Sequence, residues 1–336
     1  MVEARDKLTR EQIGEICQAH FAEPVVRVTA PGGPTRDSLR VHFADHSIIA
    51  TQRAYPGRMR LEVTVLACLN RAGAPVPRLL GTTERLFFQE DIGPVRLSTQ
   101  LADANTPERA DLAARAFASI VALQEAGAQT GLDRITPHLG KAEVWVAGLV
   151  STPAATSEKY NVAPALLDTQ RLVARLHVPA RRFVKWDARP GNAALDRTGQ
   201  VCWFDWEHCG RRQGMEDFAW LAGDEFFPLD AEAVLPILND VLPTAGRARN
   251  IDYLIHFIVF HIAQRLTIIH REYAKDGWDD PRKAMAQDYI GADPDLAVSL
   301  CRHGAGWAGQ AALTSPLVPW FLSLATAIRA LPGPSK

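Results

Sequence analysis

Cysteine is sparse in this chain, and the few present are not arranged to act together. Cys17, Cys68, Cys202, Cys209 and Cys301 are odd in number, scattered and never spaced as Cys-x-x-Cys. That pattern argues against a disulfide framework and a zinc site, and reads as reduced thiols in a core. An excess of either charge is missing too. Lys plus Arg number 37 and Asp plus Glu 38, so no positive field exists to hold a polyanion; with no basic run or aromatic RNA-binding motif, nucleic acid is not expected as a partner. No apolar run suits a bilayer. Residues 251–269 are interrupted by Asp252, His256, His261, Gln264 and Arg265, where a spanning helix needs roughly 20 predominantly apolar residues. A buried helix is expected there, and no membrane partner. The opening Met-Val-Glu-Ala-Arg-Asp-Lys is charged where a secretory signal would be apolar, which predicts a cytoplasmic protein. Ten histidines supply no His-Glu-x-x-His and no compact ligand cluster, and no Gly-x-Ser-x-Gly elbow appears, so hydrolase chemistry has little support.

What remains is a chain of 336 residues, 47% hydrophobic and without repeats or low-complexity segments, enough for one large core or two modest ones. Its character changes near residues 91–93. Before that point strands dominate. Val25, Val26 and Val28 suggest one strand, and a Pro/Gly-rich stretch at 30–35 breaks it. Leu39, Val41 and Phe43 then alternate with Arg40, His42 and Ala44, and after a turn at Asp45-His46 residues 48–53 make a third strand. An amphipathic helix over about 58–70 follows, closed by Gly73 and Pro75-Val76-Pro77, before short strands at 79–80 and 86–89. Past residue 93 the pattern is mainly helical. It begins with a long helix for which Thr106 offers an N-cap, Pro107 a first-turn proline and Gly127 a stop. Two units are therefore expected, residues 1–92 and residues 93–336.

The residues that carry chemistry sit within 181–220. Asp196-Arg197-Thr198-Gly199 is turn chemistry flanked by short apolar strands at 193–195 and 201–204, so this segment should fold back as a hairpin. Antiparallel pairing then brings Asn192 near Asp205. An amide oxygen and a carboxylate converging at the open end of a hairpin suit magnesium, which is held by one or two carboxylates together with substrate phosphates. Asp187 lies one short loop away, facing the same space. An Asp-x-x-x-x-Asn pair is a weak pattern by itself; the hairpin and the second aspartate give it weight. Trp203, Phe204 and Trp206 read as core packing rather than substrate stacking.

Asp187-Ala-Arg-Pro-Gly-Asn192, followed by Phe204-Asp205-Trp206-Glu207 and then Glu216-Asp217-Phe218-Ala219, resembles the aminoglycoside phosphotransferase and choline kinase families. The three segments are similar to the family's catalytic loop, metal-binding aspartate motif and downstream Asp-Leu-Ala element. The resemblance covers about residues 25–226. It implies an α+β, two-lobed protein-kinase-like fold, with a small antiparallel-sheet N-lobe carrying one helix and a larger, mainly helical C-lobe. It also implies transfer of the ATP γ-phosphate to a hydroxyl of a small acceptor, aminoglycoside-, choline- or sugar-like, with magnesium bridging the phosphates. Carried over residue by residue, Asp187 orients and helps deprotonate the acceptor hydroxyl, while Asn192 and Asp205 hold the metal. Arg189 stands where protein kinases place a lysine and would stabilise charge on the transferring group. One departure stands out: where the family has His-Gly-Asp, this chain has Lys185-Trp186-Asp187. A Lys185–Asp187 pair would lower the basicity of that carboxylate.

On the nucleotide side, Glu62 shares an apolar helix face with Val65, Leu66 and Leu69, and a carboxylate there needs a cation. In the kinase pattern the partner is a basic residue on the third strand that also meets the phosphates. Arg53 is that cation, with Gln52 or Thr51 as alternatives if the register shifts, and a surface pair of Glu62 with Arg58 as the alternative to burial. The stretch from Gly32 and Gly33 through Thr35 to Ser38 resembles the family's loop between its first two strands, where glycines let backbone N–H groups approach phosphate. Gly32, Gly33 and Thr35 are candidate nucleotide contacts on that basis. Gln89-Glu90-Asp91-Ile92 falls where the lobes join in this fold, so the resemblance implies adenine contacts from the backbone of Glu90 and Ile92. A protein kinase is disfavoured, since about a dozen residues separate Asp205 from Asp217 and no Ala-Pro-Glu follows. A catalytically idle nucleotide-binding regulatory protein of the same fold is the alternative, motivated by Lys185 and Arg53. Asp224, Glu225, Glu272, Asp279 and Asp280 are either the lining of a pocket for a cationic acceptor or solvated surface charge.

Overall fold

A computed structural model describes residues 5–33 and 36–332. Five strands form one antiparallel sheet in the order β1-β2-β3-β5-β4, with β1 at Arg27–Thr29, β2 at Ser38–His42, β3 at Ser47–Thr51, β4 at Leu79–Thr82 and β5 at Phe87–Glu90. Side chains of a strand alternate between faces, and the sequence uses both. Leu39 and Val41 of β2 are buried opposite Ala50 and Ile48 of β3, and with Phe88 they form a cluster under a helix, α1 (Arg10–Phe21), through Ile13 and Cys17. Phe87, one residue earlier, joins the other core, which holds Val65, Leu66 and Leu69 of α2 (Pro56–Arg71) and runs on into the helical lobe. The sheet lobe thus carries two helices, not one. The cue for α1 is a capping box, in which Thr9 accepts from the Gln12 amide and the Gln12 side chain accepts from the Thr9 amide. Strand β3 ends at Thr51, so Arg53 lies just past it.

The larger lobe is mainly helical, starting with α3 (Leu97–Asp103) and the long α4 (Thr106–Thr130). Asn105 caps α4, reciprocally bonded with Glu108, one residue before the expected Thr106. Gly131, at φ 76°, ends it. Gly127 is inside the helix for a packing reason, because a Cβ there would lie 2.6 Å from the Cβ of Phe183. The Arg247–Asp276 helix is the one described helix long and apolar enough to cross a membrane, yet 72% of that apolar window is buried in the fold. It serves as a core helix.

Between the helices lie four short strands, β6 (Arg182–Val184), β7 (Ala193–Leu195), β8 (Val201–Trp203) and β9 (Gly210–Arg212). The expected hairpin is present, pairing Ala193 with Trp203 and Leu195 with Val201. Asp196 closes its turn by accepting from the amides of Thr198 and Gln200. Trp203 is buried and donates from Nε1 to Ser119 Oγ of α4 at 2.7 Å, which fixes the hairpin on the helical lobe. Strands β6 and β9 pair beside it and carry Phe183 against α4.

Gly127→Ala should therefore cost about 1–3 kcal/mol by overpacking, which over most of that range exceeds the roughly 1 kcal/mol that alanine contributes in a helix interior. The urea midpoint should fall; a rise would mean that the contact with Phe183 is loose.

Candidate active site

Three residues at this site adopt left-handed backbone that non-glycine residues rarely enter, Trp186 (φ 54°), Asp187 (φ 50°) and Asp205 (φ 64°). Such conformations cost on the order of 1–3 kcal/mol each and persist only where the surroundings over-determine them. Asp217 supplies part of that constraint. Its carboxylate accepts from the amides of Lys185 and Trp186, both at 2.8 Å, and burial pushes its carboxyl up to about 7 against the pull of those amides. Lys185 supplies the rest. Its ammonium is buried, donates to the backbone carbonyls of Asp187 at 3.2 Å and Asp205 at 2.9 Å, and lies 5.5 Å from the Trp206 ring centre. The expected pairing of Lys185 with the Asp187 carboxylate is not what forms; the lysine staples two main-chain segments together.

The Asp187 carboxylate instead accepts from Asn192 Nδ2 at 2.8 Å, and the same nitrogen donates to the Asp187 carbonyl at 3.0 Å. That turns the amide nitrogen of Asn192 towards Asp187 and leaves its oxygen for the other side. A backbone bond from the Phe204 amide to the Asn192 carbonyl, 3.0 Å, extends the hairpin by one rung and sets Asp205 beside Asn192. An amide oxygen and a carboxylate at that position fit a hard, oxygen-seeking cation such as magnesium.

Arg53 decides the register question. Thr51 is bonded to Ser38, and the Gln52 side chain is bonded to the backbone of Leu8. Arg53 points to α2, where Nε meets Glu62 Oε2 at 2.8 Å and Nη2 meets Oε1 at 3.0 Å; Nη2 also reaches Asp205 Oδ1 at 2.8 Å. Glu62 is 1% exposed and accepts in addition from the Trp206 amide at 3.0 Å. Burial opposes charge on both Arg53 and Glu62, but Glu62 and Asp205 hold the Arg53 pKa above its ordinary value. Arg53, with Lys185, brings Asp205 below the usual carboxylate range. About a third of the Asp205 side chain stays open, 33%.

Arg189 is buried between carboxylates, with Nε 3.1 Å from Asp224 Oδ2 and Nη2 2.6 Å from Asp288 Oδ1. Asp224 and Glu225 are not surface charges either. Glu225 pairs with Arg265 at 2.6 Å, and burial together with Glu225 pushes the Asp224 carboxyl up to about 7. Asp280 caps the Pro281–Gln287 helix, while Glu272 and Asp279 line the cleft.

That cleft has a volume of about 1010 Å³. Gly32, Arg53, Glu90 and Ile92 line it from the sheet side, and Arg189, Asn192 and Asp205 from the catalytic loop and the hairpin end. Gly33, at φ 96°, backs onto the Tyr289 hydroxyl. Thr35 lies outside the described residues. Glu62 stands behind Arg53, and Asp187 is not among the residues that line the cleft, its carboxylate being bonded to Asn192, which is. The Glu90 amide is taken by the Arg78 carbonyl at 2.9 Å and its side chain by Arg78 Nε at 3.2 Å. Lys185, Arg96 and Asp288 are the participants absent from the expected set. Lys185 was visible as a departure beside Asp187, whereas the other two have no local signal.

A small sheet lobe and a helical lobe, with this loop and hairpin between them, define the protein-kinase-like fold. The sequence model of the phosphotransferase enzyme family matches residues 26–250, two thirds of the chain, and the protein belongs to that family as a small-molecule phosphotransferase. Among solved structures it is similar to choline kinase LicA from Streptococcus pneumoniae, with a TM-score of 0.54 and 15% identity, covering 89% of this chain and 99% of that one. It is likewise similar to ADP-bound aminoglycoside phosphotransferase APH(2'')-Ib, with a TM-score of 0.50 and 11% identity, covering 86% of this chain and 99% of the other. No curated protein matches the chain in sequence.

Replacing Lys185 by methionine removes the donor from two carbonyls. An orphaned buried polar group costs about 1–3 kcal/mol, so Lys185→Met should unfold at clearly lower urea concentration. An unchanged midpoint would show that the staple contributes nothing.

Proposed function

We propose that the protein transfers the γ-phosphate of ATP, bound with magnesium, to a hydroxyl group of a small molecule. The observation that carries this reading is the meeting of Asn192, Asp205 and the Arg53–Glu62 pair at one end of the cleft. In it, Asn192 and the open part of the Asp205 carboxylate would hold the metal, whose charge would offset that of the phosphates. Arg53 offers its fork to phosphate oxygens while Glu62 keeps it aimed. Asp187 orients the acceptor hydroxyl and takes its proton, with Asn192 holding the carboxylate in place; phosphoryl transfer relies mainly on such positioning rather than on a strong base. Arg189 stabilises charge on the transferring group. Residues 1–92 act as the nucleotide lobe and 93–336 as the acceptor lobe. The glycine stretch, at Gly32 and Gly33, covers the phosphates, and the adenine edge meets the Glu90 carbonyl and the Ile92 backbone.

For the acceptor, Glu272 and Asp279 are the acidic candidates that face the cleft; Asp224 and Glu225 are spent on arginines. The names of the similar structures, a choline kinase and an aminoglycoside phosphotransferase, support small amino alcohols and amino sugars as first trials. The five free cysteines suit a reducing compartment, in keeping with a cytoplasmic enzyme.

One observation favours the idle nucleotide-binding alternative: Arg53 already grips the Asp205 oxygen that a metal would want. The two readings separate in one assay. With Mg-ATP and a panel of aminoglycosides, amino alcohols and sugars, the kinase reading expects acceptor-dependent ADP release, cut about a hundredfold or more by Asp205→Ala. Thermal stabilisation by ATP that ignores magnesium, with no turnover on any acceptor, would establish the idle protein instead.

A further inference from the structure

Three arginines from distant parts of the chain converge on one carboxylate beside the catalytic loop. Asp288 follows the Pro281–Gln287 helix in left-handed conformation, φ 54°. Its Oδ1 is 2.6 Å from Arg189 Nη2, and its Oδ2 is 3.4 Å from Arg36 Nη2 and 3.8 Å from Arg96 Nη1. Arg36, from the glycine stretch, also donates to the carbonyls of Gln287, at 3.2 Å, and Asp288. Arg96, just before α3, donates to the Gly191 carbonyl. The carboxylate fits only because position 191 is glycine, since a Cβ there would collide with Asp288 Oδ1. The next residue, Tyr289, sets its hydroxyl against Gly33, so this short strap ties the glycine stretch to the catalytic loop across the cleft.

The charge at this point is under-neutralised. Each guanidinium carries several N–H donors in a planar fork, while one carboxylate offers two oxygens. Asp224, the other acid on Arg189, is shared with Arg265 at 3.7 Å. Burial, and the nearness of Arg36 and Arg189 against the help of Asp288, hold the Arg96 pKa below its ordinary value. A tetrahedral phosphoryl group, with three oxygens and more negative charge than a carboxylate, satisfies such a cluster better.

We propose that Arg36, Arg96 and Arg189 form an oxyanion subsite for a phosphoryl group, and that the Asp288 carboxylate is the protein's own occupant of it, displaced when the ligand's oxygens arrive. The inference deepens the phosphotransferase reading and rests on it for the source of the group, which is either the γ-phosphoryl of the nucleotide or a phosphate carried by the acceptor. While Asp288 fills the subsite, the apparent affinity for the ligand is reduced by the fraction of molecules in which it is seated.

Calorimetric titration of inorganic phosphate, Mg-ADP and Mg-ATP into the wild type and Asp288→Asn tests this without any turnover. If the acid is seated in about nine molecules in ten, its removal should tighten binding about tenfold, and Arg96→Gln added to Asp288→Asn should abolish the gain. A gain for Mg-ATP but not Mg-ADP assigns the subsite to the γ-phosphoryl group. A gain for inorganic phosphate with both nucleotides unchanged assigns it to a phosphorylated acceptor. No gain for any of the three, or a gain that survives Arg96→Gln, overturns the proposal. Arg96→Gln alone, which leaves Asp288 paired with Arg189, must weaken phosphate binding several-fold; unchanged binding there overturns the subsite even if Asp288→Asn does not fold. Turnover failing with every acceptor would remove the kinase reading while leaving the phosphate titration to decide the subsite on its own.

Discussion

The site depends on one guanidinium shared between two carboxylates. Arg53 follows the third strand, Glu62 lies on α2 and Asp205 sits at the end of the hairpin, so the shared fork joins the sheet lobe to the catalytic segment at 2.8–3.0 Å. A lysine carries a single point of charge on its stem and would have to divide it, whereas the arginine fork gives Glu62 two bonds and keeps contact with Asp205. Removing one partner of such a buried network is costly even where the intact network contributes little net stability, because the remaining charge is left uncompensated. Glu62 adds to the coupling by accepting from the Trp206 amide. Moving α2 therefore moves the hairpin end.

Around that joint the chemistry is positioned mostly by main chain. Trp186, Asp187 and Asp205 are held in left-handed backbone by hydrogen bonds to amides and carbonyls: Asp217 takes two amides of the 185–186 segment, and Lys185 gives to the carbonyls of Asp187 and Asp205. The cation beside Asp187 thus ties main-chain segments together rather than pairing with the carboxylate. Its ammonium is directed at carbonyls on both loops, which leaves the Asp187 carboxylate to Asn192.

Features set by short-range pattern were legible in the sequence. The hairpin around Asp196 followed from turn chemistry, and burial of Glu62 from its spacing to Val65, Leu66 and Leu69; a cation near the end of the third strand was then needed. Other features rest on contacts between segments far apart in the chain. Nothing near Arg96 or Asp288 announces that they meet, and Asp224 and Glu225 look like surface acids until Arg189 and Arg265 are found against them. Gly127 looked like a stop because the close approach of Phe183 from β6 is a tertiary fact. Helix α1 is a different case. Its capping box was present in Thr9 and Gln12, and its apolar face is short, with Ile13 and Cys17 buried.

A pattern links these ion pairs. Two of the charged groups expected to meet a ligand already have partners of opposite sign within the protein: Asp205 has Arg53, and Arg189 has Asp224 and Asp288. A cation arriving alone would have to compete with Arg53, and an anion arriving alone with Asp288, so each would break an ion pair and leave a charge exposed in a low-dielectric cleft. A metal–phosphate complex would avoid the first penalty. Under the proposed activity, Asp205 would exchange Arg53 for the metal's charge and the freed Arg53 fork would meet phosphate oxygens, so the Arg53–Asp205 pair is replaced on both sides and only a displaced Asp288 is left without its arginines. Under the proposed activity, internal neutralisation of this kind makes the site respond to metal and nucleotide together far more than to either one, a coupling that follows from charge balance without any moving domain.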